Sequence, residues 1–444
     1  MSKHHTVGGH KFLEKWFKLS AEGTSVKTEL VAGLTTFMTM AYILAVNPFI
    51  LSKTGMDAGA VFTATVLSAV IGTLVMALYA NLPIACAPGM GANAFFAFTI
   101  VLSMGHTWQF ALTAVLFEGI IFILLTVCKA REAIVNAIPE SMKHAITVGI
   151  GLFIAFIGLV TSGVVVKGGA IIALGSFASP GVILTMVGVI ITAVLLYKNI
   201  KGAMLLSILI VTVIGVFVGV TKLPAHYNFL SLPPSISPIF CKFTWDDVFS
   251  LNMLITVIVL LFMELFDTIG TLLACVNRAK LFEPGTRKPR NINRALLADA
   301  IATTAGACLG TSTVTAFVES TAGVAVGGKT GLTSLTVAIL FLVALVFSPI
   351  FLMVPAAATA PILITVGLFM IAPIKEMDLT DFTEAVPFFI TIIMVPFTYS
   401  IADGILLGLI TYVIIKICTF KFKDLNWVLV LMAILFALKF ALIH

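Results

Sequence analysis

Apolar runs long enough to cross the hydrocarbon of a bilayer as a helix recur along the whole chain. They fall at about 30–50, 60–81, 84–103, 107–128, 138–162, 180–197, 203–221, 250–275, 295–310, 311–327, 331–353, 356–374, 386–399, 401–418 and 426–443. Two of them are interrupted. Residues 82–98 read LPIACAPGMGANAFFAF, and residues 309–330 read LGTSTVTAFVESTAGVAVGGKT. A continuous helix in lipid does not carry such runs of glycine, proline and small hydroxyl residues, because backbone that leaves the helical ladder at membrane depth must be buried in protein or line a wet cavity. The pattern therefore predicts two discontinuous spans. The first is extended through Ala87 and helical from about Gly91, since Pro88 lacks a donor and Gly89 and Gly91 permit unusual dihedrals. The second is extended from Gly310 to Val318 and helical from Glu319 or Ser320, which sets a carboxylate beside the positive end of a half-helix.

A repeat underlies the order of the spans. Ile146-Thr147-Val148-Gly149 followed by Leu152-Phe153-Ile154-Ala155 returns as Ile364-Thr365-Val366-Gly367 followed by Leu368-Phe369-Met370-Ile371-Ala372, and the interrupted third span returns as the interrupted tenth. Seven spans per half is an odd number, so the second copy runs through the membrane upside down. The expected fold is an all-α polytopic membrane protein of about 14 transmembrane segments in a 7+7 inverted repeat, with short strand-plus-half-helix elements in spans 3 and 10. A binding site is expected at mid-membrane, where the two broken spans meet.

Composition agrees: of 444 residues 60% are hydrophobic and 10% charged, against about 25% charged in soluble domains. Residues 1–27 carry lysines but no apolar core of a signal peptide, so the first span is expected to act as the insertion signal. The net charge of +6 needs no nucleic-acid partner, because the basic residues gather in short loops as the positive-inside rule requires. That rule places the N-terminus in the cytoplasm together with Lys129, Arg131, Lys143, Lys198, Lys201 and the run from Arg278 to Arg294. The six cysteines show neither a pairing pattern nor a metal spacing. Two motifs imitate nucleotide sites. GVAVGGKT at 323–330 matches a P-loop letter for letter and GMGANA at 89–94 a dinucleotide fingerprint, but both lie in membrane segments without the strand-turn-helix context or distant acid that such sites need.

Carboxylates within apolar spans carry the chemistry. One at a helix centre costs about 2.5–3.5 kcal/mol on insertion scales, so such residues mark pathways, relays or pairs. Glu264 and Asp267 lie three apart on one face of the eighth span, and Glu319 lies in the tenth. Asn93 stands at the start of the third-span half-helix, with Phe95 and Phe96 after it as stacking surfaces. Glu118 fits a structural bond to a neighbouring helix as well as a function, Asp299 fits pairing with the basic loop before it equally well, Asp403 fits a turn between short spans as well as a function, and Asp381 and Glu384 fit an interfacial segment, with a role at the gate open to one of them. The seven histidines, at 4, 5, 10, 106, 144, 226 and 444, avoid the span centres. A proton relay would therefore run on carboxylates. No basic residue accompanies these acids in the core, which disfavours an anionic ligand and suits a flat heterocycle with N–H edges.

Five stretches resemble the nucleobase/cation (nucleobase/ascorbate) symporters, in particular the azgA-like adenine/guanine/hypoxanthine permease branch. They are GTSVKTELVAGLTTFMTMAYILAVNP at 23–48, APGMGANAFFAF at 87–98, LFDTIGTL at 265–272, GTSTVTAFVESTAGVAVGG at 310–328 and VPFTYSIADGI at 395–405. The resemblance spans nearly the whole chain. It implies a cytoplasmic segment 1–28, a core domain 29–128 (spans 1 to 4), a gate domain 129–221 (spans 5 to 7), an outer loop 222–248, a second core portion 249–353 (spans 8 to 11) and a second gate portion with a C-terminal helix, 354–444. It implies binding positions at Asn93, Asp267 and Glu319. With the neighbours Phe95, Phe96, Val318 and Ser320, these form the expected substrate site.

The coupling residues expected are Asp267, Glu264, Glu319 and Thr271, the last standing where relatives outside this branch have a histidine. The activity implied is uptake of a purine base, guanine or hypoxanthine before adenine or xanthine, by proton symport with a rocking or elevator-like motion. It implies a multi-pass protein of a bacterial-type inner membrane, without cofactor or metal. Sodium in place of the proton and a homodimer stay open. Two other readings predict different residues: a carrier for another small solute, a pyrimidine base or an anion, the latter needing a cationic site; and an intramembrane hydrolase, needing a nucleophile or a metal set such as HExxH.

Overall fold

A computed structural model describes residues 8–128, 139–169, 171–223, 229–282, 290–427, 429–434 and 437. Among them, fourteen segments follow one another through the bundle. Span 1 is Val26–Thr54, span 2 Ala58–Ala80, span 4 Trp108–Val127, span 5 Glu140–Thr161, span 6 Pro180–Tyr197, span 7 Ala203–Phe217, span 8 Leu251–Ala279, span 9 Ile292–Leu309, span 11 Gly331–Leu352, span 12 Ala356–Glu376, span 13 Phe382–Phe397 and span 14 Ile401–Cys418. Spans 3 and 10 are the broken ones. Span 3 consists of strand β1 (Cys86–Pro88), a half-helix Met90–Ala94 and a wider turn Phe95–Ser103; span 10 consists of strand β4 (Val314–Ala316) and a half-helix Ser320–Val326. The apolar run that begins at 426 is helical at 427 and 429–434, and its remainder, apart from residue 437, lies outside the described residues.

Side-chain caps fix where the helices start. Ser25, Asp57, Thr107, Ser250, Thr330, Asp381 and Ser400 each accept a hydrogen bond from a backbone N–H of the first turn that follows. Each satisfies a donor that lipid would leave unpaired.

The packing repeats with a shift of seven. Span 4 lies on span 9 as span 11 lies on span 2, span 1 on span 11 as span 8 on span 4, span 5 on span 13 as span 12 on span 6, and span 6 on span 7 as span 13 on span 14. The duplicated ITVG segments of spans 5 and 12 face each other across this symmetry. They approach so closely that a Cβ on Gly367 would lie 2.4 Å from the carbonyl oxygen of Gly151. A side chain there would hold the two helices apart.

The P-loop look-alike has a structural cause. Glu29, fully buried in span 1, accepts hydrogen bonds from the N–H groups of Lys329, Thr330 and Thr333 at 3.0, 3.3 and 3.2 Å and from the Thr333 hydroxyl at 2.6 Å. The glycine-rich turn does bind an anion at a helix N-terminus, but the anion is the chain's own carboxylate. Lys329 turns to the carbonyl of Glu22 and Arg290 to the Glu22 side chain. The N-terminal segment, the loop before span 9 and the turn before span 11 therefore share one end of the bundle, in keeping with the charge pattern.

Three expectations change. Strands β2 (Val165–Lys167) and β3 (Ile172–Leu174) form a hairpin between spans 5 and 6. Asp299 does not reach the basic loop in its bonds to Thr268 and Ala316, because span 9 turns it inward, fully buried. A buried cation does exist: Lys416 of span 14 is 1% exposed, but at the far end of its helix, paired with Glu384 at 2.5 Å and Asp424 at 2.7 Å.

Candidate functional site

The two broken spans meet strand to strand. β1 and β4 pair antiparallel, Cys86 opposite Ala316, Ala87 opposite Thr315 and Pro88 opposite Val314. The ladder extends at both ends, through Phe317 N–H to Ala85 C=O and Gly89 N–H to Thr313 C=O, each 2.9 Å. Pairing each strand with the other satisfies backbone groups that could not otherwise leave the helical ladder inside a membrane. Groups beyond the ladder are taken up by neighbouring side chains: Cys86 by the Thr73 hydroxyl, Ala85 N–H by Ser320 Oγ, Ala316 N–H by Asp299, and Val314 C=O by the Thr303 hydroxyl. The strands lie so close that a Cβ on Gly89 would come within 2.7 Å of the Thr315 methyl.

Beside this crossing lies a cavity of about 80 Å³, lined by Tyr42, Gly89, Met90, Gly91, Asp267, Phe317, Val318, Glu319, Val366, Phe369 and Met370 among others. Glu319 stands at the N-terminal end of the half-helix of span 10, where its side chain makes no capping bond, and accepts a hydrogen bond of 2.7 Å from the Tyr42 hydroxyl on Oε1. Asp267 stands on span 8, solvent-accessible at the cavity, and its surroundings offer it charges but no hydrogen bond from another described residue. Among the described residues, no Lys, Arg or His lines the cavity. One face is thus two carboxylates, and the others are the rings of Phe317 and Phe369 with apolar side chains from the duplicated segment of span 12. A second cavity of about 50 Å³, on the other side of Asp267, reaches Glu264, Thr313 and Thr315.

Of the residues expected from sequence, Glu319, Asp267 and Val318 come together at the first cavity, and Glu264 lines the second. The others do not reach either. Asn93 is fully buried behind the crossing, where the Ser312 hydroxyl donates to its side-chain oxygen; it ties one broken span to the other. Ser320 does the same through Ala85. Phe95 and Phe96 are fully buried in the core because the half-helix turns its glycine face, not its phenylalanines, to the cavity. Thr271 is buried one turn beyond Asp267 and lines neither space. Tyr42, Phe317 and Phe369 were not anticipated. A tyrosine hydroxyl in the middle of an apolar first span was the available signal for Tyr42, whereas nothing separates Phe317 and Phe369 from the other phenylalanines before the chain is folded.

A permease of Methanocaldococcus jannaschii is 45% identical over 97% of this chain and 98% of its own. The adenine permease AdeQ of Escherichia coli is 43% identical over 97% of this chain and 96% of its own, and the guanine/hypoxanthine permease PbuO of Bacillus subtilis is 43% identical over 95% and 99%. Among solved structures, the transmembrane domain of the cyanobacterial bicarbonate transporter BicA superposes with a TM-score of 0.61 at 19% identity, covering 87% of this chain and 97% of that one. SLC26A9 superposes with 0.65 at 10% identity, covering 94% and 73%. These two share the fold alone, the 7+7 inverted repeat. The Xan_ur_permease family model, described as a permease family, matches residues 27–407, and with relatives of this identity over nearly the full length the chain belongs to that family of membrane permeases.

Proposed function

We propose that the protein carries purine nucleobases across the membrane in symport with protons. The observation that supports this most is the pairing of Glu319 and Asp267 on one cavity without a basic residue. Carboxylates accept hydrogen bonds and donate none when ionised, so they match the N–H edges of a neutral ring and oppose an anion. Glu319 Oε1 is held by Tyr42, leaving Oε2 to accept from the base, with Asp267 at a second edge or receiving the coupled proton. Phe317 and Phe369 offer faces on which the ring stacks.

Guanine presents two adjacent donors to one carboxylate and hypoxanthine one; adenine, with an acceptor between its donors, pairs with a protonated carboxyl instead. Relatives named for adenine and for guanine/hypoxanthine are equally similar to this chain, and the charge pattern favours guanine and hypoxanthine. Alternating access follows if spans 1 to 4 and 8 to 11, which hold the crossing, move against spans 5 to 7 and 12 to 14, whose Val366, Phe369 and Met370 complete the cavity wall. The clustering of basic residues in short loops supports an N-terminus on the cytoplasmic side of a bacterial-type inner membrane.

The test is uptake of radiolabelled hypoxanthine in cells lacking their own purine carriers. Guanine, adenine, xanthine and uracil are added as competitors, and the assay is repeated with a protonophore and without sodium. Competition by purines and collapse with the protonophore are expected; uptake of uracil alone, or dependence on sodium alone, refutes the reading.

A further inference from the structure

A pair of acids lies behind the cavity. Glu118 of span 4 and Glu264 of span 8 are 0% and 2% exposed, and their side chains interact with each other. Two buried carboxyls that interact in a site whose surrounding segments supply no cation do not both ionise, so the pair retains a proton. Thr313 Oγ1 donates to Glu118 at 2.6 Å and Thr303 Oγ1 to Glu264 at 2.8 Å. The segments around them, 86–105, 108–127, 251–277 and 295–328, contain no Lys, Arg or His. The acids facing the pair are Asp299 of span 9 and Asp267 one turn along span 8. The 50 Å³ cavity is shared by Glu264 and Asp267, with room for water to carry a proton between them.

Thr303 connects this pair to the binding strand. Its Oγ1 lies 2.8 Å from Glu264 Oε1 and 2.8 Å from the carbonyl oxygen of Val314, the first residue of β4. A hydroxyl has one hydrogen to give. While Glu264 is ionised the hydrogen points to it. Once Glu264 carries a proton, its O–H donates to Thr303, and the Thr303 hydrogen turns to the strand that leads to Glu319.

We propose that Glu118 and Glu264 hold the coupled proton, and that Thr303 reports its presence to β4. The pair alternates between one shared proton and two, from net charge −1 to 0. It takes the second proton from water by way of Asp267 and returns it on the other side of the membrane. This rests on the base-transport reading above and assigns the proton a place apart from the substrate carboxylate.

The test uses the full chain in proteoliposomes with radiolabelled hypoxanthine, guanine and adenine. Accumulation under an inward proton gradient is compared with counterflow exchange without one. Glu118→Gln and Thr303→Val are expected to lose gradient-driven accumulation by roughly tenfold or more while counterflow falls by no more than about threefold. Infrared difference spectra on binding base should show a protonated-carboxyl band in the wild type that Glu264→Gln removes. Gradient-driven accumulation surviving in Glu118→Gln and Glu264→Gln overturns the proposal, and so does loss of counterflow together with accumulation in Thr303→Val and both Gln variants, which makes the cluster structural. Wild-type protein that exchanges bases but ignores the gradient also overturns it. Wild-type protein that exchanges no base refutes the transport reading itself.

Discussion

The two broken spans are copies of one device put to different uses. Both run from an extended strand into a half-helix, and they pair with each other at β1 and β4. In the first, the half-helix opens on Gly89 and bears no charge; its polar residue, Asn93, is turned inward and held by Ser312. In the second, the half-helix opens on Glu319, which reaches the cavity. Duplication supplied the scaffold twice, while the carboxylates that line the cavity come from one copy and from Asp267 beside it. Close packing is what the first copy contributes: a bare backbone at Gly89 and Gly91 lets the cavity exist.

The sharpest way to break this contrast is to remove the acid from the second copy and the amide from the first. Glu319→Gln replaces an acceptor by a group that also donates, at a site built for N–H edges. Loss of charged hydrogen bonds of about 1.5–3 kcal/mol predicts a fall in uptake at low base concentration of roughly 10- to 100-fold or more. Asn93→Ala should act on the fold instead, costing about 1–3 kcal/mol through the orphaned Ser312 hydroxyl, with the Michaelis constant of the surviving protein near the wild-type value. Radiolabelled uptake and thermal melting in detergent separate the two, and equal effects on affinity would erase the distinction.

Close approach comes next in size. Gly367→Ala puts a Cβ 2.4 Å from the Gly151 carbonyl oxygen, where backbone and not a flexible side chain must give way. Overpacking of this kind costs about 1–3 kcal/mol, so the variant should melt lower and transport more slowly, whereas Gly270→Ala, with nothing within 4 Å of its Cβ, should behave as wild type. A Gly367→Ala protein with unchanged melting would mean that spans 5 and 12 are free to separate there.

Tyr42→Phe tests the second copy more gently. It removes the hydroxyl that holds Glu319 at 2.7 Å and leaves the ring. A single hydrogen bond to a charged group, about 1.5–3 kcal/mol, predicts a rise in the Michaelis constant of roughly tenfold with the maximal rate less affected, measured by concentration-dependent uptake. If the maximal rate falls and the Michaelis constant does not, Tyr42 serves the motion and not the site.

How much of this was legible beforehand follows from what apolar patterning encodes. The strand-plus-half-helix form of both broken spans could be read because proline, glycine and hydroxyl residues clustered inside an apolar run interrupt the helix that lipid would otherwise impose, and the carboxylates because lipid makes them costly. The phenylalanines could not be assigned. Phe95 and Phe96 follow a half-helix in sequence, but which face of that half-helix meets the cavity depends on the pairing of β1 with β4, a contact more than two hundred residues apart. Asn93 was open for the same reason, since an amide at a helix start can serve a ligand or a neighbouring strand, and the Ser312 hydroxyl that donates to it is brought there only by the fold. Glu29 was hidden inside the first span, and with it the reason the P-loop pattern exists here.

The smallest expected effect lies far from the crossing and serves as its baseline. In the first half, the charges flanking spans 6 and 7 are all lysines, Lys167 before them, Lys198 and Lys201 between them and Lys222 after them; in the second half, Asp381 before span 13 pairs with Lys421 after span 14 at 2.7 Å. The Lys421 ammonium, with the Thr383 N–H and hydroxyl, holds the Asp381 carboxyl well below the usual carboxylate range. A carboxyl depressed in the folded state contributes stability above its unfolded value, near pH 4, and loses it as the pH falls through the lower folded value. The pair is partly exposed and screened by salt, so Asp381→Asn should leave purine uptake at neutral pH within about twofold of wild type. What the substitution should change is the acid limb of a melting curve series in detergent, which shallows below the ordinary carboxylate range. An Asp381→Asn variant that loses uptake as Glu319→Gln does would show that the charges of the second copy work as one system, and that the division between scaffold and recognition drawn from the two broken spans does not hold.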